Sequence, residues 1–226
     1  MSLLSNTNTP TPNVQLTVHD TALADSGVLF TALTPTPGTG ILGFATATTA
    51  ALGDTNPYLT LWNSSQAGGS PVTIYPLWMR FTISAVSVAA TNEVFEVTTD
   101  VGNRVTTAAT ALTIQNCNNA SPNKSQAVIN VGANVASAFN ANTRRFVDRV
   151  VMRTLIGVLG DQYTLQFGGG VNLNNAGILA GTAQVDLVKN FPAISIAPNG
   201  YLSINHWSAS MSTNETFEVA MAYIEK

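Results

Sequence analysis

At 226 residues and 45% apolar content, the chain can bury one large β domain or two small ones. Charged residues make up only 9%, against roughly 25% in ordinary soluble proteins. The net charge is −3 and no Lys or Arg precedes Arg80, so the basic arm that would neutralise phosphates is missing and nucleic-acid binding is not expected. Thr, Asn, Ser and Ala take the place of charge, and a surface of hydroxyls and amides is poorly defended against association. Two readings follow: a secreted β-protein, or a subunit whose surface is hidden in an assembly. The second is favoured because mean hydropathy is positive (+0.19) while the longest nearly apolar stretch, 150–159, contains Arg153 and is too short to span a bilayer. The single Cys117 excludes an internal disulfide. The N-terminus lacks the charged and apolar regions of a signal peptide.

Residues 1–13 are dominated by Ser, Asn, Thr and Pro and predict an extended polar arm; residues 14–226 predict a single β-sandwich domain. Short alternating runs follow at Val14/Leu16/Val18 and Val28/Phe30, then a Pro- and Gly-rich loop over 34–40. Strands are predicted at 58–62, 72–88, 94–101, 111–115 and 127–131. The segment 147–159 has both helical spacing (Phe146/Val150) and strand composition. The Gly160-Asp161-Gln162 turn and the alternation 163–167 after it favour a strand and a hairpin. Interleaved Phe146, Val147, Val150 and Val151 among Arg144, Arg145, Arg149 and Arg153 predict a buried strand with salt-bridged edges. Strands at 183–188 and within 194–224 bring the count to about eight to ten.

A heptapeptide occurs twice with one substitution, 122 positions apart: Thr91-Asn-Glu-Val-Phe-Glu-Val97 and Thr213-Asn-Glu-Thr-Phe-Glu-Val219. Each copy follows a loosely matching apolar segment, 76–84 or 198–205. The pattern predicts one strand–loop–strand hairpin used twice. Two such hairpins fit an eight-stranded jelly roll with sheets B-I-D-G and C-H-E-F, the first copy as C-D and the second as H-I. Phe and Val are expected to point inward and the alternating Glu residues outward. A duplicated two-domain sandwich is the rival, and the unmatched interiors of the two halves count against it.

Chemistry is thinly represented. His19-Asp20 has no third partner and reads as a surface pair; His206, beside Trp207, reads as a core or interface histidine. Cys117 has no ligand in metal spacing and only Asn around it. Glu93/Glu96 and Glu215/Glu218 could form acid–base pairs, but their presence in both copies favours a structural role. Asp54, Asp100 and Asp161 lie in turn contexts. Gly168–Gly170 lacks the Lys-Ser/Thr of a phosphate loop. No catalytic residue, metal or cofactor is expected. Trp62, Trp78 and Trp207 read as core or subunit interface, with a sugar platform as the alternative; the Arg144/Arg145/Arg149/Arg153 cluster joins them as candidate assembly surface.

The polar arm, the charge-poor β domain and three segments (153–168, Pro198-Asn-Gly-Tyr-Leu-Ser-Ile-Asn-His-Trp207 and Glu215-Thr-Phe-Glu-Val219 with its short tail) resemble the jelly-roll structural proteins of tailed bacteriophage virions. The resemblance covers about half the chain and transfers no site residue. It implies a non-enzymatic virion subunit, a capsid decoration or cement protein that forms a homotrimer and binds a major capsid protein on the outside of the head. A carbohydrate-binding sandwich, and a capsid or tail subunit, are the alternatives.

Overall fold

The computed structural model describes residues 21–42, 54–65, 70–86, 93–132, 134–153, 157–168, 186–207 and 215–226, with the backbone alone at 93, 147–153 and 207. The predicted arm, the runs at 14–18 and the His19-Asp20 pair lie outside them. Among the described residues the chain forms fifteen strands and no long helix, an all-β sandwich. Its principal strands are β1 (Leu29–Leu33), β3 (Leu59–Asn63), β4 (Ile74–Ala85), β5 (Glu93–Asp100), β11 (Arg144–Arg153), β12 (Gln162–Phe167), β14 (Tyr201–Trp207) and β15 (Thr216–Glu225). The others are β2 (Ile41–Leu42), β6 (Val105–Thr107), β7 (Thr110–Ala111), β8 (Thr113–Asn116), β9 (Ala127–Val131), β10 (Val135–Ala136) and β13 (Asp186–Phe191).

The front sheet runs β13-β12-β4-β15-β1-β8, and β2 adds to the start of β15. The back sheet runs β11-β5-β14-β3-β9-β7. Lettered B to I in chain order, the eight principal strands pair as B-I-D-G (β1-β15-β4-β12) in front and C-H-E-F (β3-β14-β5-β11) behind. Alternation explains why these segments are strands: β12 reads Gln-Tyr-Thr-Leu-Gln-Phe, with Tyr163, Leu165 and Phe167 buried and the residues between them half-exposed. Inward residues of both sheets, among them Leu59, Leu61, Phe81, Phe95, Leu165, Leu202, Ile204, Phe217 and Met221, form one core.

Several expectations require correction. The two strands of each copy lie in opposite sheets, as the slots C-D and H-I implied, with β4 and β15 in the front sheet and β5 and β14 in the back; the slots of the first copy are what change. Each copy therefore crosses the sandwich, and the copies touch twice, β4 on β15 and β5 on β14. The first copy fills slots D and E, because the short strand β3 ahead of it takes slot C. The pair 147–159/163–167 is no hairpin: β11 pairs with β5 and β12 with β4, in opposite sheets. The strand predicted at 111–115 is broken at buried Leu112, β7 pairing in the back sheet and β8 in the front. Finally, β13 runs parallel to β12, so the front sheet is not wholly antiparallel.

The insertion between β5 and β11 shapes the back of the molecule. It carries β9 to the far edge, beside β3, yet must return to β11 at the opposite edge. The return segment 134–143 passes over the outer face of the back sheet and is fastened along its course. Asn134 donates to the Tyr58 carbonyl (3.1 Å); Ala136 N–H donates to the Thr55 carbonyl (2.8 Å) and Ser137 N–H to the Arg104 carbonyl (2.9 Å); Phe139 N–H donates to Asp54 Oδ2 (2.9 Å). Beneath this strap lies a cross-strand row, Asn130–Thr60–Ser203–Thr98–Arg145. All of these but Arg145 are buried although they point away from the core. Thr98 and Ser203 satisfy one another at 2.6 Å, as covered hydroxyls must.

Candidate functional site

The titratable groups gather in two places. The first is inside the core. His206, from β14, points between the sheets: its ring lies 4.8 Å from Phe95, 5.3 Å from Phe217 and 6.2 Å from Tyr58. Burial lowers its pKa to about 4, against the opposing pull of the Glu215 charge. Glu215, Asp161, Tyr58 and Tyr163 are fully buried around it. Asp161 Oδ2 accepts from Val158 N–H (2.8 Å) and from the Tyr163 hydroxyl (3.4 Å). Burial also pushes the Tyr58 phenol far above its ordinary value. Gly157 is needed here because a Cβ would sit 2.3 Å from Ile83 Cδ1 and 3.1 Å from Glu215 Oε1. A neutral histidine walled by aromatic rings is a packing group; nothing in this geometry presents it to a substrate.

The second cluster ties the strap to the back sheet. Arg104 is buried, 4.0 Å from Asp100 Oδ2, and donates to the carbonyls of Asp54 (3.2 Å) and Ser137. Its guanidinium lies over the rings of Phe139 (4.8 Å) and Tyr201 (5.7 Å). Arg145 also lies over the Phe139 ring (5.3 Å) and pairs with buried Glu96 at 3.3 Å. Burial raises the Tyr201 phenol to about 12, with the Ser203 hydrogen bond and the Arg104 charge acting to lower it.

Of the predicted outward acids, Glu96 takes the outward side of β5 but is buried there, and Glu215 is buried beside the core. Glu218 behaves as expected, half-exposed and accepting Gly38 N–H at 3.2 Å; the side chain of Glu93 lies outside those described. The sequence held no signal for the burial of Glu96: the strap over it is Asn- and Ala-rich and carries no periodic pattern.

The structure scatters the candidate assembly residues. Contrary to expectation, β11 is the edge of the back sheet, and Arg144, Arg145 and Phe146 are exposed on it. The side chains of Arg149, Arg153 and Trp207 lie outside those described. Trp62 and Trp78 are not core residues. Trp62 is half-buried on the outer face of the back sheet, its indole N–H donating to Asn199 Oδ1 (3.3 Å). Trp78 is half-buried on the outer face of the front sheet. The two lie on opposite faces of the sandwich and cannot share one ligand.

Asp100 and Asp161 each accept a local backbone N–H, from Val101 and Val158, whereas Asp54, itself in a turn, accepts the distant Phe139 N–H of the strap. Cys117 is exposed and free, with its thiol pKa raised chiefly by partial burial. Among the described residues no three His, Cys, Asp or Glu side chains converge as metal ligands. An open cleft of about 480 Å³ is lined by Thr34, Thr39, Ile41, Leu42, Thr110 and Gly132 among others, hydroxyl and aliphatic groups without an acid or base. Comparison with known protein families, curated proteins and solved structures finds no match.

Proposed function

We propose that this chain is a non-enzymatic structural subunit of a virion, a capsid decoration or cement protein that binds the outside of a phage head and bridges capsomers. Its partners in this reading are further copies of itself, as the trimer implied by the resemblance, and a major capsid protein. The observation that carries the reading is the pairing order of the eight principal strands, B-I-D-G against C-H-E-F, which supports the jelly-roll reading, a fold used by viral capsid proteins among others. Fold alone does not dictate function, and two further features support the same conclusion. The buried acids and His206 are engaged in packing and turn formation. The outer surface is poor in charge, so its desolvation on assembly costs little. The sugar-binding alternative loses its strongest support with Trp62 and Trp78 on opposite faces.

Mass spectrometry of purified particles of the virus that encodes the chain tests the proposal. Stoichiometric presence, removed by mild denaturant before the shell itself dissociates, is the expected result. Absence from the particles overturns it.

A further inference from the structure

The two outer faces of the sandwich are unlike. The back face is sealed by the chain's own strap. Among the described residues no segment crosses the front face, and its outward residues form registered rows. One row is Val188–Thr164–Arg80–Ala220–Leu33–Thr113; the next is Asn190–Gln166–Trp78–Ala222–Thr31–Gln115. A third begins Asp186–Gln162–Thr82–Glu218. Val188 (50%) and Leu33 (41%) are well exposed, Arg80, Thr113 and Gln115 are exposed, and Trp78 is half-exposed.

The bulk on this face is unevenly divided. Strand β4 presents two large side chains, Trp78 and Arg80; its neighbour β15 carries two small ones in the same two rows, Ala220 half-exposed and Ala222 buried (5%) at the floor between Trp78 and Thr31. The boundary between these strands is also the middle of the six-strand order, with three strands on each side.

We propose that the front face is a self-association surface on which a second copy of this chain packs about a two-fold axis. The axis lies between β4 and β15, nearly parallel to them. This operation sets each Trp78 on the partner copy's Ala222 and each Arg80 on its Ala220, large upon small in both directions. It also brings Arg80 within side-chain reach of the other copy's Glu218, one row away, twice by symmetry. Aligned face-to-face packing of this kind is how two sheets form a sandwich core, and an isologous contact needs such self-complementarity. Arg80, Glu218 and Asp186 are the charges in these rows, so few ions must be desolvated. Six strands at ~4.8 Å and three rows at ~6.8 Å give on the order of 600 Å² of flat face. A standard interface buries about 800 Å² per partner, so the contact is a modest one with Trp78 as its centre. This inference rests on the assembly reading above and adds a two-fold contact made in free solution, separate from the three-fold contacts of the trimer, which that reading places on the capsid.

The test is sedimentation equilibrium of the full chain from roughly 1 μM to 1 mM, with circular dichroism as the control for folding. The wild type is expected to rise from 23.7 kDa toward twice that mass. Trp78→Ala and, independently, Ala220→Lys should each weaken pairing at least about tenfold while the chain stays folded. Val128→Lys, on the outer edge of the back sheet, should leave it unchanged. A wild type that remains monomeric throughout overturns the proposal. So does any oligomer, a trimer included, whose mass neither front-face substitution alters. In either case the virion reading stands or falls separately, on the composition of the particles.

Discussion

Phe95 and Phe217 hold the same place in the two copies of the heptapeptide and meet across the core, one from each sheet, with ring centroids 6.4 Å apart. Phe81 and Tyr163 pack against both, and His206 lies between them. The repeat is therefore a statement about packing: one local sequence supplies the central ring from each layer. Removing either ring leaves a cavity that its neighbours cannot fill. Phe95→Ala and Phe217→Ala should each cost about 3–5 kcal/mol. Because the rings share neighbours, the double mutant should depart from additivity by roughly 0.5–3 kcal/mol. Urea denaturation of the four proteins of the cycle measures this; strict additivity would mean that the two rings are independent.

His206 makes stability depend on pH in a definite direction. Burial holds its folded-state pKa near 4, below the ordinary value of about 6.5 that it regains on unfolding. Between these values the unfolded chain binds a proton that the folded chain does not, so stability is full above pH 6.5 and declines as pH falls toward 4. The loss over that window is of order 3 kcal/mol. His206→Gln should flatten this part of the curve, whatever it does to stability at pH 7. Thermal melts at half-unit intervals between pH 7 and 4 provide the check.

Much of this architecture was legible in the sequence. The alternation in 163–167 and 217–223 marks strands because one face of each is buried, and the repeat announced two equivalent strand pairs. Periodicity does not say which strand a neighbour pairs with, and so β11–β12 read as a hairpin although the pair spans the sandwich, and the first copy was set one slot too early. The parallel edge β12/β13 was hidden for the same reason. Glu96 lies on the outward side of β5, but its burial is decided by a strap 38 or more residues downstream, whose side-chain anchors Asn134, Arg104 and Asp54 are scattered in sequence and carry no periodic signal. Trp62 and Trp78 lie in apolar strands but at outward positions, which composition cannot distinguish from inward ones.

The C-terminal strand ends in a latch. The Glu225 carboxylate, nearly buried, accepts from Ser125 Oγ (2.6 Å), from Gln126 N–H (3.0 and 3.1 Å) and from Ala127 N–H (3.3 Å). It thereby fixes the start of β9 to the end of β15. Glu225→Ala strands these donors, at a cost of about 1–3 kcal/mol. Amide hydrogen exchange should rise at Gln126 and Ala127 before it rises in the core strands. Glu225→Gln, which keeps one acceptor oxygen, should lie between the mutant and the wild type.

The strap makes a last, separable prediction. Arg104 is its main fastening, and Arg104→Ala removes the partner of Asp100, two carbonyl contacts and the surface on which Phe139 rests. Breaking a buried charge pair on one side costs about 3–5 kcal/mol. Here Asp100 keeps the Thr143 hydroxyl (2.9 Å) and Val101 N–H (2.7 Å), which places the expected loss at the lower end of that range. The damage should also be local. Lifting segment 134–143 uncovers Thr60, Thr98 and Ser203, polar residues that water can solvate, rather than the apolar core between the sheets. Limited proteolysis of Arg104→Ala should therefore cut first within 134–143 and leave a folded, nicked sandwich. Cleavage distributed over all strands from the outset would show instead that the strap and the core unfold as one unit.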